Sequence, residues 1–168
     1  MRGKWIFTYL KNWPSNLKYQ FRFAKRPYFL TLNLTDTCNS HCIMCFFWKN
    51  KKRHNEITPE EIRTLLQQDT MKDLTVIALT GGEIFMRPDI PEIIDVIYDT
   101  TGVKPHFGTN GLFPSKLDSL MSTHGHKIGG VMISVDGLGD VHDTIRGKGT
   151  FAITMKAIHL LKTFNTWV

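Results

Sequence analysis

The sequence predicts an α/β protein, a partial parallel (β/α) barrel with about four and a half βα units. Short apolar runs rich in β-formers alternate with amphipathic helical segments along the chain. This alternation indicates right-handed βαβ units and a parallel sheet. The strand segments are near-continuous apolar runs, as expected where helices cover a sheet. A closed barrel of eight units takes about 250 residues, so a chain of 168 residues holds only part of one.

The first βα unit has the clearest local signals. Residues Tyr28–Thr35 alternate and are rich in β-formers, which predicts a strand. The segment Thr58–Gln67 carries isoleucine and leucine on one helical face and predicts a helix. Its start combines Thr58 as the N-cap, Pro59 at the first helical position and Glu61 at the capping-box position.

The other predicted strands and helices follow in strict alternation. The strands are short apolar runs that end in glycine-containing turns, and the helices carry apolar residues at helical spacing. The strands are Leu74–Thr80, Val103–Gly111 and Gly129–Gly137, and the helices are Pro88–Thr100, Ser115–Ser122 and Phe151–Phe164.

Residues 1–26 are predicted to be a separate basic, aromatic N-terminal arm in helical conformation. Seven lysine and arginine residues precede Asp36, which is the first acidic residue, and the net charge of the whole chain is +6. We expect the aromatic side chains of the arm to pack on the following domain, with the basic side chains in solvent. The alternative is that the arm contacts an anionic surface such as nucleic acid or lipid.

Composition excludes some classes of protein. The sequence has no apolar run of the length that spans a membrane, and its N-terminus lacks the apolar stretch of a secretory signal. Its three cysteines lie within eight residues, which makes a poor disulfide framework. They indicate a metal or redox site in a reducing, cytoplasmic compartment. There is no clear nucleic-acid-binding signal.

The cysteines are Cys38, Cys42 and Cys45, and they follow the first predicted strand with the spacing C-x3-C-x2-C. Thiolates are soft ligands that suit zinc, copper(I) or iron–sulfur clusters. Structural zinc takes four ligands, and His41 inside the loop is a candidate for the fourth. A [4Fe–4S] cluster normally uses four cysteines, so three would leave one iron open to another ligand. Both kinds of site remain open from the spacing.

Unusual segments also stand at the ends of the other predicted strands. They are "TGGE" (Thr80–Glu83), "GTNG" (Gly108–Gly111) and "SVDG" (Ser134–Gly137). Ligands of parallel α/β folds bind outside the carboxyl ends of the strands. The glycines let a ligand approach the backbone closely, and Glu83 offers a carboxylate to an ammonium group.

Together these motifs resemble the radical S-adenosylmethionine (SAM) superfamily. The cysteine spacing and its lead-in "RPYFLTLNLTDTCNSHCIMC" are similar to that family's cluster loop, and "GGE" is similar to its SAM-ammonium motif. The segments "TNG", "SVDG" and "HDTIRGKGTF" (His142–Phe151) resemble one branch of the family. That branch contains molybdenum-cofactor biosynthesis enzymes and peptide-modifying enzymes with SPASM or twitch extensions. The resemblance runs from about Arg26 to the end of the chain, so residues 27–168 are predicted to be a radical SAM core.

The resemblance implies an enzyme in which Cys38, Cys42 and Cys45 bind three irons of a [4Fe–4S] cluster. The amino and carboxylate groups of SAM would chelate the fourth iron. One electron, from a donor such as a flavodoxin or ferredoxin, would cleave SAM and leave a 5′-deoxyadenosyl radical. That radical would abstract hydrogen from an unknown substrate, such as a peptide or a cofactor precursor. The residues implied to bind SAM are Gly81, Gly82, Glu83, Asn110, Ser134 and Arg146.

The segment after the fourth strand is predicted to be a loop. Arg146 would pair with a carboxylate at the site or with Asp140 or Asp143. Asp136 is predicted to cap a turn, and His142 and Asp143 are predicted to order the loop.

Two features depart from the family pattern. Met44 stands before the third cysteine, where the family usually has an aromatic residue. The family core resembles a six-unit partial barrel, so we expect a partner chain or a further C-terminal segment to complete this one and to supply most substrate contacts. Two alternatives to the enzyme remain, a zinc- or thiol-binding α/β domain and a catalytically inert radical SAM fragment.

Overall fold

A computed structural model describes residues 26–49 and 56–164. Its strands are β1 (Phe29–Asn33), β2 (Val76–Thr80), β3 (His106–Thr109) and β4 (Gly130–Ile133). They form one parallel sheet in the order β1-β2-β3-β4, which confirms the predicted parallel architecture. Nearly all of the predicted N-terminal arm, the residues 50–55 and the last four residues lie outside the described residues.

Within the described residues, five α-helices connect and follow these strands. They are α1 (Pro59–Leu66), α2 (Ile90–Thr101), α3 (Pro114–His124), α4 (Asp140–Arg146) and α5 (Thr150–Leu161). The four predicted helices are confirmed, with ends that differ by up to three residues. Within the described ranges, no helix is both long enough and apolar enough to cross a membrane.

The start of α1 confirms the predicted capping box. The backbone N–H of Glu61 donates to the hydroxyl of Thr58 at 3.2 Å, and the carboxylate of Glu61 accepts from the backbone N–H of Thr58 at 2.8 Å. Pro59 occupies the first helical position. These contacts satisfy two of the backbone donors that a helix start leaves unpaired.

Helix α4 was not predicted, because its segment was interpreted as a loop. It has only seven residues, and glycines Gly139 and Gly147 flank it. Seven residues make two turns, too few for apolar periodicity to be visible in a sequence. The helix depends on tertiary packing instead, since the ring of His142 is fully buried and contacts the ring of Phe151 at 5.6 Å between centroids.

One face of the sheet forms the core with the helices. The register aligns one apolar residue from each strand in a row across this face, and each of the four is buried: Leu32, Leu79, Phe107 and Val131. Helices α1 and α2 pack against each other, and so do α3 and α5. Burial of this continuous apolar face is what stabilises the sheet.

Among residues 26–49 and 56–164, helices pack on one face of the sheet only, so the expectation that helices cover the sheet is confirmed for that face and corrected for the opposite, open face. In the part of the chain that the structure describes, Thr31, Asn33, Thr80 and Met132 are exposed on this face. Gly108, on the neighbouring strand, has no atom within 4 Å of where a Cβ would stand. Small and polar residues on one face are what a partial barrel presents to its interior. The open face therefore adjoins the strand ends, where the cysteine loop begins.

Candidate functional site

The cysteine loop is hydrogen-bonded to the segment that follows β2. The backbone N–H of Gly82 donates to the carbonyl of Thr35 at 2.8 Å, and that of Glu83 donates to the carbonyl of Thr37 at 2.9 Å. These bonds extend the pairing of β1 with β2 beyond the strands. They bring the loop of Cys38 against the "GGE" segment, so two motifs that are far apart in the sequence, Cys38–Cys45 and Gly81–Glu83, form one surface.

Gly81 and Gly82 are required by this close approach of two backbones. A Cβ at Gly81 would stand 2.4 Å from the carbonyl oxygen of Thr35, and one at Gly82 would stand 2.1 Å from that of Thr37. Gly81 also has a φ of 149°, a value that favours glycine. From the sequence, these glycines were predicted to let a ligand approach the backbone closely. Their first role in the structure is to seat the cysteine loop.

The three thiols differ in burial and in their partners. Cys42 is buried, whereas Cys38 and Cys45 are partly exposed. The hydroxyl oxygen of Ser40 lies 3.1 Å from the sulfur of Cys42, and the backbone N–H of Ser40 donates to the sulfur of Cys38 at 3.4 Å. The side-chain amide of Asn110 also faces the sulfur of Cys38, at 3.8 Å. Hydrogen-bond donors thus face two of the three sulfurs, those of Cys38 and Cys42.

The electrostatics of this loop suit a cationic centre. Burial raises the pKa of the Cys38 thiol, a hydrogen bond from Ser40 lowers it, and the charges of Glu83, Cys42 and Cys45 raise it further. Iron ions would offset this like-charge repulsion, so the three soft donors fit an iron–sulfur cluster. In residues 26–49 and 56–164, no group of three or more His, Cys, Asp or Glu side chains is already arranged to hold a metal ion.

His41 was the candidate fourth ligand for zinc. Its side chain is exposed, and its ring contacts the ring of Trp48 with 5.1 Å between centroids. The indole N–H of Trp48 in turn donates to the backbone carbonyl of Cys42 at 3.2 Å. His41 therefore lies on the outer side of the loop, in an aromatic contact.

Glu83 is buried, with 1% of its surface exposed, and its carboxylate is occupied by the protein. It accepts hydrogen bonds from the backbone N–H of Phe85 at 3.2 Å, the hydroxyl of Thr109 at 2.9 Å and the backbone N–H of Asn110 at 2.8 Å. Burial raises the pKa of the Glu83 carboxyl, and these hydrogen bonds act in the opposite direction. The carboxylate thus ties the end of β3 to the "GGE" segment.

We expect Glu83→Ala to lower the free energy of unfolding by about 1–3 kcal/mol, because three buried donors lose their acceptor. Glu83→Gln keeps one acceptor oxygen and should lose less. Urea unfolding of both variants without any cofactor measures the difference. An alanine variant as stable as the wild type would show that the carboxylate does not hold β3 in place.

Asn110 reaches the cysteine loop from the end of β3. Its side-chain amide donates to the side-chain oxygen of Asn39 at 2.8 Å. Its own backbone carbonyl accepts from the hydroxyl of Thr154 in α5 at 3.1 Å. The following residue, Gly111, has a φ of 76° and packs against α5. Asn110 is therefore placed beside the loop by the sheet, by Glu83 and by α5 together.

Ser134 and Arg146 stand at the end of β4 and of α4. Ser134 is half-buried, and its backbone N–H donates to the carbonyl of Thr109 at 3.2 Å. Arg146 forms a two-pronged ion pair with Asp136, which is not one of the acidic partners that the sequence interpretation named. Asp136 was predicted to cap a turn, and in the described residues its carboxylate accepts hydrogen bonds from Arg146.

Asp143 caps helix α5. Its carboxylate accepts from the backbone N–H groups of Gly149 at 2.6 Å and Phe151 at 2.8 Å, and these bonds hold its pKa below the usual range. Helix α4 is joined to the cysteine loop by a hydrogen bond from the backbone N–H of Ile43 to the carbonyl of Ile145, at 2.9 Å. The segment after β4 is thus a structured wall of the site.

Sequence reasoning missed Arg87. Its buried guanidinium donates to the carbonyls of Leu34 and Ile57, both at 2.8 Å, and pairs with Asp89. Leu34 precedes the cysteine loop and Ile57 follows it, so Arg87 closes the base of the loop. The available signal was an arginine directly after the apolar run "IFM" (Ile84–Met86), with Asp89 two residues further on.

These features define a class of protein: a parallel partial barrel with a three-cysteine loop seated on a Gly-Gly-Glu segment at the strand ends. Residues 32–167 match the radical SAM superfamily, and the chain belongs to that superfamily. Its members are enzymes that use a [4Fe–4S] cluster and SAM.

Several relatives align in sequence with most of this chain. Fe-coproporphyrin III synthase of Methanosarcina barkeri is 31% identical over 153 residues, which are 89% of this chain and 37% of the relative. The subtilosin biosynthesis protein AlbA of Bacillus subtilis is 32% identical, over 84% of this chain and 32% of its own length. Mycofactocin maturase MftC of Mycobacterium tuberculosis is 32% identical, over 80% and 34%. The chain spans about a third of the length of these relatives.

Solved structures share the fold. That of anSMEcpe with bound AdoMet aligns with a TM-score of 0.65 and 19% identity, over 83% of this chain and 41% of that one. Streptococcus suis SuiB bound to the precursor peptide SuiA aligns with a TM-score of 0.66 and 19% identity, over 89% and 33%. Both likenesses support the partial-barrel fold.

Proposed function

We propose that this chain is the catalytic core of a radical SAM enzyme, with Cys38, Cys42 and Cys45 as the ligands of a [4Fe–4S] cluster. The observation that carries the proposal is the backbone pairing of the cysteine loop with the "GGE" segment. When bound, the cluster and SAM supply a one-electron cleavage that yields a 5′-deoxyadenosyl radical for hydrogen abstraction.

The chain's own residues bind and orient these groups. Within the described residues, the backbone carbonyls of Gly81 and Gly82 accept no hydrogen bond, so they are available to the SAM ammonium group. The Glu83 carboxylate adds negative charge behind them and holds Asn110 in place. Ser134 and Arg146 border the SAM site at the ends of β4 and α4, with Arg146 oriented by Asp136.

Residues 27–168 make up this proposed core, with residues 1–26 as a separate arm. Reduction of the cluster needs an electron donor such as a flavodoxin or ferredoxin. We propose a peptide or a cofactor precursor as the substrate. Names among the relatives support this class, because MftC is named as a maturase and SuiB was solved with a precursor peptide. The open face of the sheet is the surface that we propose for that substrate.

The test is anaerobic iron–sulfur reconstitution of the chain, followed by reduction in the presence of SAM. We expect about four irons per chain and release of 5′-deoxyadenosine. Stoichiometric zinc with little bound iron would favour the zinc-binding alternative instead. A bound cluster with no 5′-deoxyadenosine would identify an inert fragment.

A further inference from the structure

Ser40 lies between the first two cysteines of the loop and contacts the sulfurs of both. Its side chain is buried, with 4% of the residue exposed. The backbone N–H donates to the sulfur of Cys38 at 3.4 Å, and the hydroxyl oxygen lies 3.1 Å from the sulfur of Cys42. Nothing in the cysteine spacing requires a hydroxyl at this position, since the motif leaves the residue between the cysteines free.

The Ser40 hydroxyl has one proton and two acceptors in reach. The other acceptor is the backbone carbonyl of Arg146, at 3.4 Å. Hydrogen bonds between a hydroxyl and an oxygen atom normally span about 2.5–3.0 Å, so that contact is long. Sulfur is a larger atom, and 3.1 Å to the sulfur of Cys42 is a close contact. Once Cys42 is a thiolate it can only accept, and the resulting charge-assisted bond is stronger than a neutral one.

We propose that the Ser40 hydroxyl raises the reduction potential of the cluster through its hydrogen bond to Cys42. Reduction adds negative charge to the cluster and to the sulfurs that bind it. A proton donor at a ligand sulfur stabilises the reduced form more than the oxidised form, and hydrogen bonds to sulfur are among the factors that set these potentials. This inference rests on the proposed assignment of Cys42 as a cluster ligand.

Burial strengthens the effect of this donor. At an exposed sulfur, water would replace a missing hydroxyl, whereas Cys42 and Ser40 are both buried. In a low-dielectric site a single hydrogen bond also acts more strongly on charge. The nearest comparable side-chain donor, the amide of Asn110, is 3.8 Å from Cys38 and already bonded to Asn39 at 2.8 Å. Ser40 is thus the strongest side-chain donor to sulfur in the described part of the loop.

The experiment is a redox titration of the reconstituted chain, with the reduced cluster followed by electron paramagnetic resonance. At the midpoint potential of the wild type, Ser40→Ala should lower the ratio of reduced to oxidised cluster about tenfold. For a one-electron couple this equals a shift of about 59 mV to lower potential. Ser40→Thr keeps the hydroxyl and should stay close to the wild type.

Thr37→Val is the matched control, because it also removes a buried hydroxyl beside the cysteines. That hydroxyl contacts the hydroxyl of Thr35 at 3.0 Å and has no contact with sulfur in the described residues. The control should leave the potential unchanged. An equal shift in Thr37→Val would overturn the inference, since general loosening of the loop would then explain the change.

Two further outcomes would contradict the inference about Ser40 without contradicting the proposed function. They are an unchanged potential in Ser40→Ala, and a Ser40→Ala chain that cannot load iron while the wild type can. The second would mean that the hydroxyl is needed for the loop itself rather than for its potential. A wild-type chain that binds no iron would instead contradict the proposed function from which this inference starts.

Discussion

Replacing Cys42 with alanine is expected to abolish iron–sulfur cluster binding. Two remaining thiolates cannot hold a cluster that needs three protein ligands and one open iron. Cys42 is also the most buried of the three thiols, so no solvent-borne ligand replaces it easily. The measurement is iron per chain and the broad brown absorbance after anaerobic reconstitution. We expect about four irons in the wild type and only residual iron in the variant.

His41→Ala is the control for this prediction. His41 is exposed and contacts Trp48, so the His41→Ala chain should keep a full complement of iron. Both variants change one residue within the same loop, which makes their cluster contents directly comparable. If His41→Ala lost its metal together with Cys42→Ala, the zinc alternative with His41 as fourth ligand would be favoured.

Replacing Gly82 with alanine is expected to destabilise the chain strongly and to unseat the cysteine loop. The new Cβ would stand 2.1 Å from the carbonyl oxygen and 2.6 Å from the carbonyl carbon of Thr37. Both are backbone atoms, and the same carbonyl accepts the 2.9 Å hydrogen bond from Glu83. Relief of the clash therefore breaks that bond as well. Overpacking costs about 1–3 kcal/mol, and we expect the upper end of this range or more in urea unfolding.

Gly108→Ala provides the comparison. Gly108 lies on the open face of the sheet, and a Cβ there meets no atom within 4 Å. Glycine within a strand is less favourable than alanine by about 0.5–1 kcal/mol, so this variant should unfold at the same or a higher urea concentration. If both variants unfolded at the same urea concentration as the wild type, the close approach at Gly82 would not limit stability.

The fold class was predictable because its signals are local. Alternating strand and helix patterns, the capping box at Thr58 and the glycine-closed strand ends all lie within a few residues of what they specify. The parallel, right-handed connection of the strands then follows from general rules of chain handedness. The radical SAM superfamily was also predictable from local signals. Each of its motifs is a contiguous segment, and the motifs follow one another in the expected order along the chain.

The open face of the sheet was less predictable. The strands Val76–Thr80 and Gly130–Ile133 are apolar on both sides, and a pattern of that kind is typical of a sheet covered twice. Whether a helix covers a face depends on how the sheet packs as a whole. The traces of the open face in the sequence are single small or polar residues: Thr31 and Asn33 in β1, Thr80 in β2 and Gly108 in β3.

By itself, the sequence determined that this protein is a parallel α/β chain with three thiols at the end of its first strand, because residue type and spacing encode those features directly. Only the tertiary structure decided which partners the polar side chains take. Arg146 pairs with Asp136 rather than with either of the two acidic residues named from the sequence. The carboxylate of Glu83 accepts hydrogen bonds from three donors of the protein. These pairings depend on distances between segments that are far apart in the chain. A charged group pairs with the partner that the packed backbone brings within hydrogen-bond distance.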